Sequence, residues 1–360
     1  MPSCYSRIRN PATRNNAEKR SNMNPKLRVL VALLAVIVSF SVCPGRGFAQ
    51  GTITLAGSGG TSALPVFRAW AAEYNKDNPA IRMQYLALDT YTSTAQILKG
   101  SGDFGAGDTP LTSEQRSQSL MALPIMLIAI VPIYNVPGAD QELRFSGGLL
   151  AEIYLGKIKN WNDPRIARLN PHASLPRLPI KVIYQTRGKG STFIFTDFLS
   201  KTSPKFRDRV GRGISPVWPV GSSAERSSAM ADKVRKEPGS IGYVEVQYAL
   251  ENNIHFGSVM NAAGKFVKPS RETLAAACNA VEAPRWDNFS ASLTNPAGAD
   301  SYPIASFSWV YVRTAAIDPG RKSALVDLLN WIFTEGQRSM PVGYSPLPPL
   351  LLVKVKAKIP

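Results

Sequence analysis

The residues best suited to chemistry stand together in one short stretch, Tyr184-Gln185-Thr186-Arg187-Gly188-Lys189-Gly190-Ser191-Thr192-Phe193. Gly188 and Gly190 let the backbone come close to a ligand. Ser191 and Thr192 stand where helix-capping hydroxyls stand, and Arg187 and Lys189 bring positive charge to the same place. The β-rich run Leu178–Tyr184 before it, and apolar positions 195, 198 and 199 after it, predict a strand, a glycine-rich turn and a helix. Such a turn offers free N–H groups at the positive end of a helix dipole, which favours an anion. Taken alone, the same residues also describe an ordinary turn with two solvated cations.

Other stretches repeat the pattern. The strand Ile53–Leu55 runs into Ala56-Gly-Ser-Gly-Gly-Thr-Ser62, and Phe67, Trp70, Ala71 and Tyr74 then mark one helical face that ends at Asn78-Pro79. The strand Arg82–Leu86 leads to the hydroxyl-rich Leu88-Asp-Thr-Tyr-Thr-Ser-Thr94 and a short helix near Ala95–Leu98. Asp103-Phe-Gly-Ala-Gly-Asp108 is a short strand closing on an aspartate, and Thr112-Ser-Glu-Gln115 carries a capping-box pattern. Leu123–Tyr134 is almost wholly apolar but contains two prolines, as expected of buried strands. Gly211–Ser223 is predicted as an irregular loop, followed by a helix capped by Ser227 or Ser228, a strand over Ile241–Glu245, a strand region over Tyr302–Val312 and a last long helix over Lys322–Thr334. Alternating strands and helices give an α/β class. With Gly, Ser and Thr at several strand-to-helix turns, the carboxyl ends of the strands are the expected ligand edge.

Composition narrows the function. The 360 residues suit two domains, and 44% apolar residues give ample core. Residues 1–49 combine a basic start, the apolar run Val29–Val42 and small residues before position 50, the pattern of a secretory signal peptide. Met1 and Met23 are both possible starts. Cleavage there removes eight cations and one anion, lowering the formal charge from +17 to +10. That basic balance attracts anions, and a secreted protein drawn to anionic surfaces would need nothing more. No dense Lys/Arg tract with interleaved aromatics suggests nucleic acid. Only Cys278 follows position 49, so no intramolecular disulfide is expected there. His172 and His255 stand far apart, which argues against a metal cluster and against any cofactor held by one. A phosphate-ester hydrolase would need a nucleophile and base, or paired metals. The Walker pattern is also absent, because Lys189 is followed by Gly190.

Several stretches then resemble the periplasmic phosphate-binding protein family of bacterial phosphate ABC transporters. The most specific is Leu149–Pro171 (Leu-Leu-Ala-Glu-Ile-Tyr-Leu-Gly-Lys-Ile-Lys-Asn-Trp-Asn-Asp-Pro…Leu-Asn-Pro), followed by Gly239-Ser-Ile-Gly-Tyr-Val-Glu245. Asp103–Asp108, Trp218-Pro219, Tyr302-Pro-Ile304 and Gly343-Tyr-Ser-Pro-Leu-Pro348 fall in family order. The resemblance covers essentially all of residues 52–350. It implies a two-lobed, type II solute-binding fold: residues 50–130 with 304–360 as lobe one, 131–303 as lobe two, and crossing strands near Ile130–Asn135 and Ser306–Val312. It implies a non-enzymatic, exported component that binds inorganic phosphate and serves the membrane permease subunits of an ABC importer.

The resemblance also places the ligand contacts. Thr61 would give a hydroxyl and an N–H, Ser62 a backbone N–H, and Thr90 would take the place of the family's serine. Asp108 matches the family aspartate. A carboxylate facing an anion repels it unless the ligand brings a proton to share, which hydrogen phosphate does and sulfate does not. The departure lies at the first-named stretch. Where the family reads Arg-x-Asp-Gly-Ser-Gly-Thr, this chain reads Gln185-Thr-Arg187-Gly-Lys189-Gly-Ser191. In one reading Arg187 and Lys189 replace the lost arginine beside Gln185, Gly190, Ser191 and Thr192. In the other both cations are solvated and affinity is weakened. Separately, the loop is more positive than the family's, which allows the same fold to take a different oxyanion or a phosphate ester.

Overall fold

The computed structural model describes residues 52–139, 142–281, 288–315 and 317–360. The leader expected over residues 1–49 lies outside the described residues.

The axis of the architecture is one strand, β4, running unbroken from Leu120 to Tyr134 through both prolines of the apolar run. Its other main-sheet strands are β1 (Ile53–Gly60), β2 (Ile81–Leu88), β3 (Phe104–Gly107), β5 (Lys181–Gln185), β6 (Ser222–Ala224), β7 (Ser240–Glu245) and β8 (Ala305–Arg313), in the spatial order β2-β1-β3-β8-β4-β7-β5-β6. Proline cannot donate to a sheet ladder and is confined to edges and bulges. Here the pairing with β8 slips between Ser308 and Trp309, so that Trp309 faces Pro124 and Ile125 is the extra residue. The Ile125 carbonyl is not orphaned, because Gln337 Nε2 donates to it at 2.9 Å.

β4 changes neighbour midway. Residues 120–129 pair with β8, and residues 130–134 pair with β7. β1 is parallel to β2 and β3, and β5 is parallel to β6 and β7. β8 is antiparallel to both β3 and β4, and β4 is antiparallel to β7. The two parallel groups therefore run in opposite senses along β4, and their carboxyl ends face each other. That topology makes the ligand edge predicted from the turns a shared one.

Helix α1 (Leu64–Asp77) buries Phe67, Trp70 and Tyr74 of the face read from the sequence, and Val66 beside them, while Ala71 is half-buried. Phe67 stacks on Tyr85 at 4.3 Å between ring centres, and Trp70 Nε1 donates to the Gly336 carbonyl at 2.9 Å. Helix α2 (Thr90–Leu98) follows β2 and helix α3 (Gly190–Thr202) follows β5. Far from the cleft, α3 is pinned by Asp197, which accepts from the hydroxyls of Ser292 at 2.6 Å and Thr294 at 2.5 Å and pairs with Lys201 and Arg212. Burial alone would raise the Asp197 pKa; the Lys201 charge and the two hydroxyls hold it below the usual carboxylate range instead. A small three-stranded sheet of Arg144–Phe145, Ser258–Met260 and Phe266–Val267 completes the second half. The loop expected over Gly211–Ser223 is corrected at its end, where Ser222 already belongs to β6.

Candidate functional site

The carboxyl ends of β1, β2, β3, β5 and β7 meet around one narrow cleft. β1 supplies Gly60 and, beyond its end, Thr61 and Ser62. β2 supplies Leu88, then Asp89 and Thr90, while Asp108 follows β3. β5 supplies Gln185, then Lys189, Gly190 and Ser191, and Glu245 closes β7.

The helix starts differ in how they are capped, and the difference leaves donors available. Ser191 and Thr192 do not cap α3. The Ser191 hydroxyl donates to Gln185 Oε1 at 2.7 Å, and the Thr192 hydroxyl pairs with the Tyr243 hydroxyl at 2.7 Å. Gln185 is held from its other side, with Nε2 donating to Ser227 Oγ at 2.8 Å. Ser227 is thereby drawn away from the capping role read from the sequence, and the helix over Ser227–Lys236 has no side-chain cap. With Lys189 at the N-cap and no side-chain hydrogen bond there, the first N–H groups of α3 have no intrahelical acceptor. The turn Thr61–Ala63, which runs straight into α1, is likewise uncapped by a side chain. α2 is capped: Asp89 accepts from the Thr92 N–H and hydroxyl, both at 2.8 Å.

Two carboxylates face this space. Asp108 is 2% exposed. Its Oδ2 accepts from Ser62 Oγ at 2.5 Å, while Oδ1 is buried with no partner among the described residues. Burial raises its pKa, partly offset by the hydroxyls of Ser62 and Ser308. Glu245 is equally buried, and its Oε2 is unpartnered among the described residues. Burial first, and the charge of Asp108 second, push its pKa up to about 7, against the opposing pull of the Ser227 and Ser191 hydroxyls.

Close packing across the cleft fixes one glycine. A β-carbon added to Gly190 would lie 2.7 Å from Asp108 Cβ and 3.2 Å from Thr90 Oγ1. Tyr248, which follows β7, donates from its hydroxyl to the Thr61 carbonyl at 3.1 Å, and Tyr344 donates to the Ser62 carbonyl at 2.5 Å. The first turn after β1 is thus gripped from the opposite group of strands and from the C-terminal segment.

Of the residues predicted from sequence, Thr61, Ser62, Thr90, Asp108, Gln185, Lys189, Gly190 and Ser191 line the cleft. Arg187 does not; it is exposed on the turn, separated from Lys189 by Gly188 at φ +84°. Thr192 is fully buried one residue beyond the lining. Lys189 is half-buried and makes no ion pair among the described residues. Sequence reasoning missed Asp89 and Glu245 as lining residues. Glu245 carried a signal, since it is the lone carboxylate ending an otherwise apolar strand. Among the described residues no group of three or more His, Cys, Asp or Glu could hold a metal ion. A larger groove beside Ile153, Ile158, Ile180 and Val220 has no converging helix starts. Convergent polar groups, rather than volume, mark the site.

Residues 45–335 match the family model of the PBP superfamily domain. The chain is 34% identical over 309 residues to the phosphate-binding protein PstS of Xylella fastidiosa, covering 85% of each chain. It is 36% identical over 312 residues to PstS of Pasteurella multocida, covering 85% of this chain and 89% of that one. Among solved structures, it superposes on a phosphate-bound phosphate ABC transporter substrate-binding protein from Clostridium perfringens with TM-score 0.58 and 17% identity, over 79% of this chain and 95% of that one. A periplasmic phosphate-binding protein, PfluDING, gives TM-score 0.67 at 17% identity, over 85% and 93% of the two chains.

Proposed function

The chain belongs to the PstS family of phosphate-binding proteins within the PBP superfamily, and from that premise we propose that its cleft binds inorganic phosphate for delivery to an ABC-type importer. Its fold is the type II solute-binding fold. The observation that carries the reading is Asp108. One oxygen is fixed by Ser62, and the other has no partner among the described residues and lies beside helix starts that favour an anion. A buried acceptor of this kind repels an anion with no proton and hydrogen-bonds one that has a proton to donate.

In this reading the backbone N–H groups of Thr61, Ser62, Gly190 and Ser191, with the hydroxyls of Thr61 and Thr90, replace the ligand's water. Ser62, Ser191 and Thr192 spend their hydroxyls on Asp108, Gln185 and Tyr243, and so shape the wall. Lys189, not Arg187, is the cation, and Gln185 is the scaffold for Ser191. The lobes divide as 50–130 with 304–360 and 131–303. Their crossings are at Ile130, where β4 changes partner, and at Ile304, whose carbonyl accepts from the Ile130 N–H at 3.0 Å. The second crossing thus falls just before the stretch read from sequence. The protein acts by binding and closure, without turnover, outside the cytoplasmic membrane and with permease subunits as its partners.

Calorimetric titration of ligand-stripped protein with phosphate and then sulfate tests this. Micromolar or tighter phosphate binding with weak sulfate binding is expected. Equal binding of both anions would overturn the reading.

A further inference from the structure

Asp108 accounts for one proton shared with a bound phosphate, and the cleft contains a second carboxylate of the same kind. Glu245 lines the same space from the opposite group of strands, is 2% exposed, and has an Oε2 with no partner among the described residues. Its remaining surroundings do not neutralise it. Around it are Asp108, the hydroxyls of Ser191 and Ser227, Lys189 at the start of α3, Tyr243 within β7, Tyr248 after β7, and Tyr344 from the C-terminal segment. Burial keeps the three phenols protonated. Lys189 is then the one cation that lines the cleft among the described residues.

Charge decides the matter. A phosphate dianion beside two ionised carboxylates would set four negative charges against one ammonium and helix starts worth about half a charge each. Desolvated like charges at this separation from water cannot all stay ionised. Resting on the phosphate reading above, we infer that Glu245, like Asp108, shares a proton with the bound phosphate, so the cleft takes its ligand with one proton more than a single-carboxylate site requires. The extra proton comes from solvent, no covalent bond changes, and the proton lies in the hydrogen bond between Glu245 and a phosphate oxygen. The upward push on the Glu245 pKa already present without ligand agrees in direction.

The sign follows from linkage. If the complex holds one more proton than free protein plus hydrogen phosphate, binding weakens about tenfold per pH unit above neutrality. The test is calorimetric titration of the full protein with inorganic phosphate at about pH 8 in buffers of different ionisation enthalpy, together with affinity across pH. Wild type is expected to take up about one proton per phosphate. Glu245→Gln is expected to bind phosphate with that uptake and the pH slope lost. Wild-type binding without proton uptake, or the same uptake in Glu245→Gln, would overturn the inference and leave the phosphate reading intact. The wild-type proton count decides even if the variant does not fold. Absence of phosphate binding at every pH would overturn the phosphate reading, and this inference with it.

Discussion

Lys189 and Arg187 stand two residues apart on one turn, yet only Lys189 reaches the cleft. Gly188 at positive φ turns the backbone between them, and α3 starts immediately after Lys189. A hydrogen bond to a charged group is worth about 1.5–3 kcal/mol. Lys189→Ala should therefore weaken phosphate binding about tenfold to a hundredfold, while Arg187→Ala should leave it within about twofold, since a solvated charge at this range is screened. Equal losses in the two variants, measured by calorimetry at physiological salt, would return both cations to one role. The chemistry of this stretch was legible in its residue types. Which cation points inward was not, because it depends on one glycine's dihedral angle and on the helix start one residue later. Asp108 was legible for a different reason: it closes the short strand Asp103–Asp108 and matches the aspartate of the family that the chain resembles.

At the scale of elements, the site is made of helix starts that must approach one another closely. Gly190 is the tightest point of that approach, with Asp108 and Thr90 where its β-carbon would go. Gly190→Ala should weaken phosphate binding at least about tenfold, because something must shift by several tenths of an ångström at the closed cleft. It should cost little thermal stability, since the position is the first residue of a helix and alanine is the better helix former. A large fall in melting temperature with unchanged affinity would show that the glycine serves folding instead. Most elements were readable from periodicity, such as the buried face of α1. The continuity of β4 was not, because two prolines inside a strand ordinarily argue for two shorter ones. The bulge at Ile125 and the Gln337 amide that satisfies its carbonyl come from elements far along the chain. Glu245 was missed likewise. Its strand was recognised, but only the antiparallel meeting of β4 and β7 brings its end to face Asp108.

At the scale of the whole molecule, two parallel strand groups point their carboxyl ends at each other, and β4 runs through both. That arrangement lets one anion be surrounded by N–H groups from both sides, and the Ile130 N–H donates to the Ile304 carbonyl where β4 changes partner. In the proposed reading the cleft chooses its anion by the proton the anion carries, through Asp108. The measurement that tests it most directly is the ratio of phosphate to sulfate affinity in wild type and in Asp108→Asn, by calorimetry on refolded, ligand-stripped protein. Asparagine keeps the size but can donate to an anion that has no proton. The ratio should fall about tenfold or more, with sulfate gaining. An unchanged ratio, with both anions affected alike, would contradict it.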